Sequence, residues 1–251
     1  MKANLTDYKG NPIEATLKYY INNEQVTNNY TPMASGQYVL KVVYDGDGHH
    51  VASQSTYTFS VGDGREGTVI AAEDLTFVFN EEKYLKAVFK TADGKPLEGI
   101  DVKITINGVA KTLKTDNSGQ VSLKVSEIPK VYDAKIVFEG NVYCKAAVKN
   151  VKITVKKAAP KLTAKSKTFK IKANKKYTIS LKNNKNQPIK NAKLTIKVKG
   201  KTYSAKTNAK GKATFKLAKL NKKGTFKSTV KFAGDKYYNG ITKTVKIKIK
   251  K

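Results

Sequence analysis

A repeated segment constrains the fold of this chain more than any other feature of its sequence. The stretch TADGKPLEGIDVKITINGVAKTLKTDNSGQVSLKV, from residue 91, matches KNNKNQPIKNAKLTIKVKGKTYSAKTNAKGKATFKL, from residue 182, in the order of its features. Each has a polar turn, a proline, an alternating strand, a glycine hairpin (Asn107-Gly108 or Lys199-Gly200) and a second strand. The segment DYKGNPIEATLKYYINNEQVTNNYTPMASGQYVLKV, near the N-terminus, follows the same order. Such self-similarity predicts tandem copies of one supersecondary unit.

A short motif recurs near the end of each copy, as FAGDKYY (232–238), FEGNVYC (138–144) and YDGDGHH (44–50). Its middle position is always Asp or Asn, and both residue types close local turns through their side-chain oxygens. We therefore predict a structural turn in each copy, and a tyrosine there is expected to pack its ring on the core. The predicted turn residues are Gly234, Asp235 and Tyr237 in the third copy and Gly140, Asn141 and Tyr143 in the second. Gly46, Asp47 and His49 of the first copy align with them more weakly.

Apolar and polar residues alternate along the segments between these turns. In AKLTIKVKG, Leu194, Ile196 and Val198 share one face and leave the lysines on the other. A period of two, broken every ~8–12 residues by Gly, Asn or Pro, predicts antiparallel strands with one buried face. No useful stretch shows a helical period. The predicted fold is all-β, with tandem immunoglobulin-like β-sandwich domains of Greek-key antiparallel topology and no significant helix.

The repeats predict the domain boundaries. We expect an incomplete Ig-like repeat at 1–61, a linker at 62–74, an Ig-like repeat at 75–157 and a lysine-rich Ig-like repeat at 158–251. The first copy has no counterpart of LTFVFNE (75–81), so we expect it to have a thin core and an open edge. Because the joint KKAAPK is short, we expect the second and third copies to be only modestly mobile relative to each other.

Charge is distributed unevenly between the copies. Residues 158–251 hold 29 lysines, no arginine and one acidic residue, a formal charge of +28 out of +30 for the chain. The rest of the chain holds 20 basic and 18 acidic residues, a formal charge of +2. Such a polycationic end is expected to associate with polyanions.

The motifs ADGKPLEG, VKITING, KTDNSGQ and FEGN resemble the bacterial Ig-like repeats of intimin/invasin-type surface adhesins. The last copy, from GKTYSAKTNAKGKATFKLAKL to FAGDKYYNGITKTVKIKIKK, is similar to the lysine-rich C-terminal repeats of archaeal (methanogen) adhesin-like proteins. This resemblance implies non-enzymatic, extracellular, cell-surface repeats that serve as stalk, spacer or adhesion modules. The chain has no apolar run long enough to span a membrane. MKANLTDYKG lacks the apolar core of a secretory signal, so from the residues the chain is either cytoplasmic or a piece of something longer. The resemblance implies the second, a part of a longer exported protein.

Catalytic chemistry finds little support in the sequence. The two histidines, His49 and His50, are adjacent and would point to opposite faces of a strand. The sequence contains no nucleophile-elbow, phosphate-loop or His-Glu-x-x-His motif. Cys144 aligns with tyrosine and histidine in the other copies and is interpreted as a packing residue. We predict no catalytic residue and no cofactor.

A calcium site is the metal hypothesis that the sequence invites, through Asp45 and Asp47. Calcium takes six to eight oxygen ligands, and two acids beside glycines supply few of them. Because the aligned position is Asp or Asn throughout, the turn interpretation is favoured and no metal site is predicted.

The outward lysines of the third copy are the candidate contacts with a polyanion: Lys170, Lys172, Lys197, Lys199, Lys246 and Lys248. The predicted partner is an anionic cell-wall polymer or glycan, with a host or neighbouring cell surface as a further candidate. Sequence-specific nucleic-acid binding is not expected, because it favours arginine and the one arginine is Arg65 in the linker. Two alternatives stay open: a non-specific polyanion or nucleic-acid binding protein, and a passive structural spacer. Carbohydrate stacking on Tyr203 or Tyr238 is a minor alternative.

Overall fold

The structure is a computed structural model that describes all residues, 1–251. It contains twenty β-strands and no helix, which confirms the predicted all-β class of tandem Ig-like sandwiches. No helix long and apolar enough to cross a bilayer is therefore found. The chain divides into two compact units, one of Met1–Gly67 with Gly140–Lys145 and the other of Thr68–Glu139 with Ala146–Lys251.

The first unit is built on one antiparallel sheet in the order β2-β1-β3-β4. Its strands are β1 (Lys18–Ile21), β2 (Glu24–Val26), β3 (Gly36–Tyr44) and β4 (Ser53–Val61). Within residues 1–67, Ile21 and Tyr44 are the buried apolar side chains, while Tyr8 and Met33 are almost fully exposed. A single sheet with so little buried surface has a thin core, so this is the part of the chain with the weakest packing.

The second unit contains two sandwiches of eight strands each. The first of them pairs a three-stranded sheet, β10-β7-β5, with a five-stranded sheet, β6-β12-β11-β8-β9. Its strands are β5 (Thr68–Ala71), β6 (Leu75–Val78), β7 (Lys83–Thr91), β8 (Asp101–Ile106), β9 (Val109–Lys114), β10 (Gln120–Val125), β11 (Lys130–Phe138) and β12 (Ala147–Lys156). β5 lies inside the predicted linker 62–74 and pairs with β7, since Thr-Val-Ile-Ala has strong β propensity.

The second sandwich of this unit repeats that strand order, with sheets β13-β15-β18 and β14-β20-β19-β16-β17. Its strands are β13 (Lys161–Thr163), β14 (Lys167–Lys170), β15 (Lys176–Lys182), β16 (Lys193–Val198), β17 (Lys201–Lys206), β18 (Lys212–Lys216), β19 (Gly224–Phe232) and β20 (Ile241–Lys250). We call the two sandwiches the second and third repeats. Their identical strand order makes cross-strand positions directly comparable.

One strand pair in each sandwich is parallel, although the sequence pattern predicted antiparallel strands. β6 pairs with β12 and β14 pairs with β20 in parallel, and the other ladders are antiparallel. The reason is that β5 and β6 follow each other in the same direction but belong to different sheets. The chain passes from the three-stranded to the five-stranded sheet between β5 and β6, so β6 lies parallel to β12. In the third repeat β14 lies parallel to β20 in the same way.

The core of the third repeat follows the period of two. Leu194, Ile196 and Val198 of β16 are fully buried, while Lys193 and Lys197 on the opposite side of the strand are exposed. β20 shows the same alternation, with Val245, Ile247 and Ile249 inside and exposed lysines between them. This alternation sends Lys193 and Lys197 of β16, and Lys246, Lys248 and Lys250 of β20, to the solvent side of the sheet.

The joint between the second and third repeats is a packed contact. The ring of Phe79, in the turn after β6, stacks on Tyr237 with the ring centroids 5.1 Å apart. The side-chain amide of Asn184 donates to the backbone carbonyl of Phe79 at 3.1 Å. The ammonium of Lys157 donates to the carbonyl of Asp235 at 2.5 Å. The first two contacts join the second repeat directly to the third, and the bond of Lys157 ties the connecting segment to the third repeat.

Candidate polyanion-binding face

The solvent side of the five-stranded sheet in the third repeat carries only lysine, threonine and serine on its strands, and we call it the lysine face. Its nine exposed lysines are Lys170, Lys193, Lys197, Lys206, Lys227, Lys231, Lys246, Lys248 and Lys250. The residues between them are Thr168, Thr195, Thr202, Ser204, Thr225, Thr229, Thr242 and Thr244. The face therefore presents ammonium and hydroxyl groups and no carboxylate.

Two lysines of this face lie directly opposite each other, Lys227 on β19 and Lys246 on β20. In the second repeat the same cross-strand position is occupied by Asp133 and Lys152. There the ammonium and carboxylate form an ion pair with an N–O distance of 3.0 Å. The third repeat thus replaces an ion pair with two like charges.

A second cross-strand position shows the same replacement. Lys193 lies opposite Lys206 on β16 and β17. The equivalent pair of the second repeat is Asp101 and Lys114, which form an ion pair with an N–O distance of 3.0 Å. Like charges directly opposite in a sheet destabilise it, so both changes lower the intrinsic stability of the third repeat.

No acidic side chain compensates these charges within the third repeat. Its one acid, Asp235, accepts hydrogen bonds from the backbone amides of Tyr237 and Tyr238, both at 2.8 Å. The ion pairs of the structure join residues of 1–157. The lysine face is therefore a field of uncompensated cations in which an external anion gains contacts with several ammonium groups at once.

Four of the six predicted contacts, Lys170, Lys197, Lys246 and Lys248, lie on the lysine face. The other two, Lys172 and Lys199, lie in turns, which corrects their expected position on outward faces of strands, while contact of all six with a polyanion stays a prediction. β14 ends at Lys170, where the amide of Ala173 donates back to the carbonyl of Lys170 and leaves Lys172 in the turn. Lys199 has φ +46° in the β16–β17 hairpin.

The remaining five lysines of the face were absent from the predicted set: Lys193, Lys206, Lys227, Lys231 and Lys250. The alternation in the sequence would identify most of them as outward-facing. Their position opposite one another could not be read from it, because register joins strands that are far apart in the chain.

The recurring turn motif has one geometry in the three copies. The side-chain Oδ1 of Asp235, Asn141 and Asp47 accepts hydrogen bonds from the backbone amides two and three residues later, at 2.7–2.9 Å. The preceding glycines have positive φ, +89° at Gly234 and +88° at Gly46. A Cβ at Gly234 would lie 2.8 Å from the backbone nitrogen of Gly240, so this position requires glycine.

The tyrosines of the motif differ from the prediction that they pack on their own core. Tyr237 is part-buried against Phe79 of the preceding repeat, and Tyr143 is 75% exposed. Tyr238 also lies in the joint, where its hydroxyl accepts from the amide of Asn80 at 3.3 Å. Tyr237 therefore finds its packing partner in the joint, whereas Tyr238 is also packed against the core cluster of the third repeat.

The residues considered for catalysis or metal binding are occupied in other ways. Cys144 is buried, and burial together with the charge of Glu66 raises the pKa of its thiol. His49 and His50 lie in a bend after β3 and not in a strand, and the ring of His50 contacts the carboxylate of Asp47 at 3.1 Å. Asp45 forms an ion pair with Lys18 at 2.5 Å. The structure contains no group of three His, Cys, Asp or Glu side chains placed to hold a metal ion.

Comparison with known proteins gives structural matches alone. No protein-family model matches the chain, and no curated protein matches its sequence.

The matching solved structures include two bacterial adhesins and a pair of titin domains. A structure of a 1.5-MDa bacterial ice-binding adhesin is 14% identical over 93% of this chain and 86% of that chain, with a TM-score of 0.33. A Ca²⁺-stabilized adhesin that helps an Antarctic bacterium bind ice is 15% identical over 93% of this chain and 65% of that chain, with a TM-score of 0.31. The titin domains Z1Z2 in complex with telethonin are 10% identical over 73% of this chain and 96% of that chain, with a TM-score of 0.37.

Proposed function

We propose that the chain is a non-enzymatic, adhesin-like stalk segment of a cell-surface protein, whose third repeat docks on an anionic cell-wall polymer. The repeats at 1–61 and 75–157 act as spacer or adhesion modules, with 62–74 between them, and 158–251 is the docking repeat. The lysine face is the contact surface.

The observation that carries this proposal is the exchange of carboxylate for ammonium at two equivalent positions. Where the second repeat places Asp133 and Asp101, the third places Lys227 and Lys193. The second repeat shows that the fold accepts an ion pair at both positions. The like-charge pairs cost stability without any structural need, so they point to a function of the charge itself.

An extended polymer fits the lysine face better than a compact ligand. Lysines alternate along β20 at a spacing of about 6.8 Å, and neighbouring strands lie about 4.8 Å apart. Such a field contacts many anionic groups of a long chain, and each contact releases counterions. Base-specific recognition is not supported, because the single arginine, Arg65, is bound to Asp63 at 2.9 Å.

A binding experiment on the whole chain tests this function. Insoluble cell-wall material is incubated with the protein across a salt series, with duplex DNA as a competitor. We expect binding at low salt that weakens steeply as salt rises. Tighter binding to DNA than to wall material would favour the general polyanion binder, and no binding to either would favour the passive spacer.

Two charge-reversal variants locate the binding surface. Lys193→Asp with Lys227→Asp installs the acids of the second repeat on the lysine face. Lys161→Asp with Lys182→Asp makes the same change of charge on the three-stranded sheet, where these lysines also lie opposite each other. The first variant should weaken binding much more than the second. Equal effects would show that net charge, and not the lysine face, determines binding.

A further inference from the structure

A groove lies on the open side of the third repeat, between the edge strands of its two sheets. β17 pairs only with β16 and β18 pairs only with β15, so each strand has one free edge. The groove between them has a volume of about 550 Å³, within the range of about 300–1,000 Å³ typical of small-ligand sites. Backbone groups at both free edges can form hydrogen bonds with a ligand there.

The lining of the groove combines one aromatic ring with cations and hydroxyl groups. Its residues are Tyr203, Ser204, Ala205, Lys206, Asn208, Lys212, Thr214 and Lys216. Tyr203 is part-buried and packs against the core cluster, while the three lysines are exposed. Asn208 is held in place because its Oδ1 accepts from the backbone amides of Lys210 and Lys212, both at 3.0 Å.

The equivalent surface of the second repeat lacks the aromatic ring, and two of its lysines are held in ion pairs. Lys111 stands at the position of Tyr203, and Asp116 stands at the position of Asn208. The counterparts of two groove lysines are neutralised: Lys114 pairs with Asp101, and Lys124 pairs with Glu82 at 2.8 Å. The basic aromatic groove is thus specific to the third repeat.

Resting on the proposed docking function, we propose that this groove binds an acidic saccharide unit of the polymer. A pyranose ring has an apolar C–H face that packs on an aromatic side chain, and hydroxyl groups that need hydrogen-bond partners. Its carboxylate forms charge-assisted bonds with ammonium groups. The groove supplies Tyr203 for the ring, Ser204 and Thr214 for the hydroxyl groups, and Lys206, Lys212 and Lys216 for the carboxylate. The substrate class is therefore a polyuronate-type glycan.

The test compares two polyanions of different chemistry on the whole chain. Polygalacturonate is the acidic polysaccharide, and polyphosphate is a polyanion without sugar rings. The groove variant is Tyr203→Leu with Lys212→Gln and Lys216→Gln. We expect it to bind polygalacturonate about tenfold more weakly than Lys161→Gln with Lys182→Gln, through the loss of two charge-assisted contacts and the ring contact. Polyphosphate binding should fall by the same factor in both variants.

Tyr203→Phe is a control variant that keeps the aromatic ring and removes only its hydroxyl group. The hydroxyl oxygen of Tyr203 is buried and has no hydrogen-bond partner in the protein, so its removal should leave the domain intact. This variant should keep full affinity for polygalacturonate. Digalacturonate, added to the labelled protein, should shift the backbone amide NMR signals of 203–206 and 212–216.

The two proposals fail in different ways. If the chain binds both polyanions alike and the groove variant behaves as its control does, the groove inference is wrong and the docking function stands. If neither polyanion binds, the docking function is wrong. In that case, shifts at 203–206 and 212–216 with digalacturonate would still support the groove as a saccharide site, and their absence would overturn it.

Discussion

Lys227 lies directly opposite Lys246 across two antiparallel strands, at the position where the preceding repeat pairs Asp133 with Lys152. The two repeats share their strand order, so the same structural position holds an ion pair in one repeat and two like charges in the other. In the second repeat the sheet is stabilised by an internal ion pair. In the third the two cations face each other without an acidic partner, and the sheet loses that stabilisation.

Lys227→Asp should stabilise the third repeat in the absence of polyanion. The change replaces repulsion across β19 and β20 with an ion pair, and cross-strand charge pairs contribute up to about 1 kcal/mol. Urea unfolding at low salt measures the gain, which should shrink toward zero at high salt because surface charges are screened. The reciprocal change, Asp133→Lys in the second repeat, should be destabilising. A gain that persists at high salt would contradict the electrostatic explanation.

Asp235→Asn should leave the stability of the third repeat nearly unchanged. The side-chain oxygen of asparagine can accept the same two backbone bonds, as Asn141 does in the second repeat. Gly234→Val is the contrasting variant, since any side chain there adopts an unfavourable φ and its Cβ lies 2.8 Å from a backbone nitrogen. It should lower the free energy of unfolding by more than about 2 kcal/mol. Thermal unfolding of both variants checks the pair, and a metal-dependent effect of Asp235→Asn would refute the turn interpretation.

Lys199→Asn should stabilise the hairpin between β16 and β17. Lys199 and Gly200 both have positive φ, +46° and +73°, a conformation that favours Asn-Gly. The second repeat has that dipeptide, at Asn107 and Gly108. The expected gain is roughly 0.5–1 kcal/mol, reduced by the loss of the Lys199 contact with the Phe226 ring. Unchanged denaturant midpoints at both low and high salt would show that the backbone preference is unimportant here.

Phe79→Ala should loosen the joint between the second and third repeats without unfolding either one. Phe79 stacks on Tyr237, but its own side chain is only part-buried in its repeat. NMR relaxation of the two repeats should change from common to separate tumbling. Asn184→Ala is a milder companion, because it removes one hydrogen bond to the carbonyl of Phe79. Common tumbling in both variants would mean that the connecting segment alone holds the joint.

Lowering the pH should reduce the folding stability of the first and second repeats more than that of the third. The backbone amide of His49 and the side chains of Tyr44 and His50 lower the pKa of Asp47. Hydrogen bonds from Thr91 and Lys95 lower the pKa of Asp93 to about 2. Because a lowered folded-state pKa favours the charged form, this stability is complete above the unfolded value of about 3.9 and is lost as pH falls through the folded value.

The loss of stability is measured by urea unfolding at several pH values between 6 and 2. NMR signals of each repeat report its own unfolding midpoint. The third repeat has one acidic residue and should change least. Asp93→Asn should remove part of the pH dependence of the second repeat. An equal loss in all three repeats would contradict the assignment to these carboxylates.

The sequence predicted much of the fold because its signals are local. Alternation identified the strands of the third repeat, and the aligned Asp or Asn identified a position whose hydrogen bonds are the same in three copies. Where prediction failed, the deciding contact was distant. The role of Tyr237 depends on Phe79, and the parallel pairing of β14 depends on a switch between sheets.

The amino-acid sequence by itself determined the all-β class, the repeat and the side of each strand on which its lysines lie, since a period of two is a property of neighbouring residues. Tertiary structure alone decided which lysine stands opposite which, because register is set between strands that are distant in the chain. It also decided that Tyr203 and Lys212, on strands of different sheets, line one groove. The charge of the third repeat is therefore a property of its composition, whereas the arrangement of that charge into a face and a groove is a property of its packing.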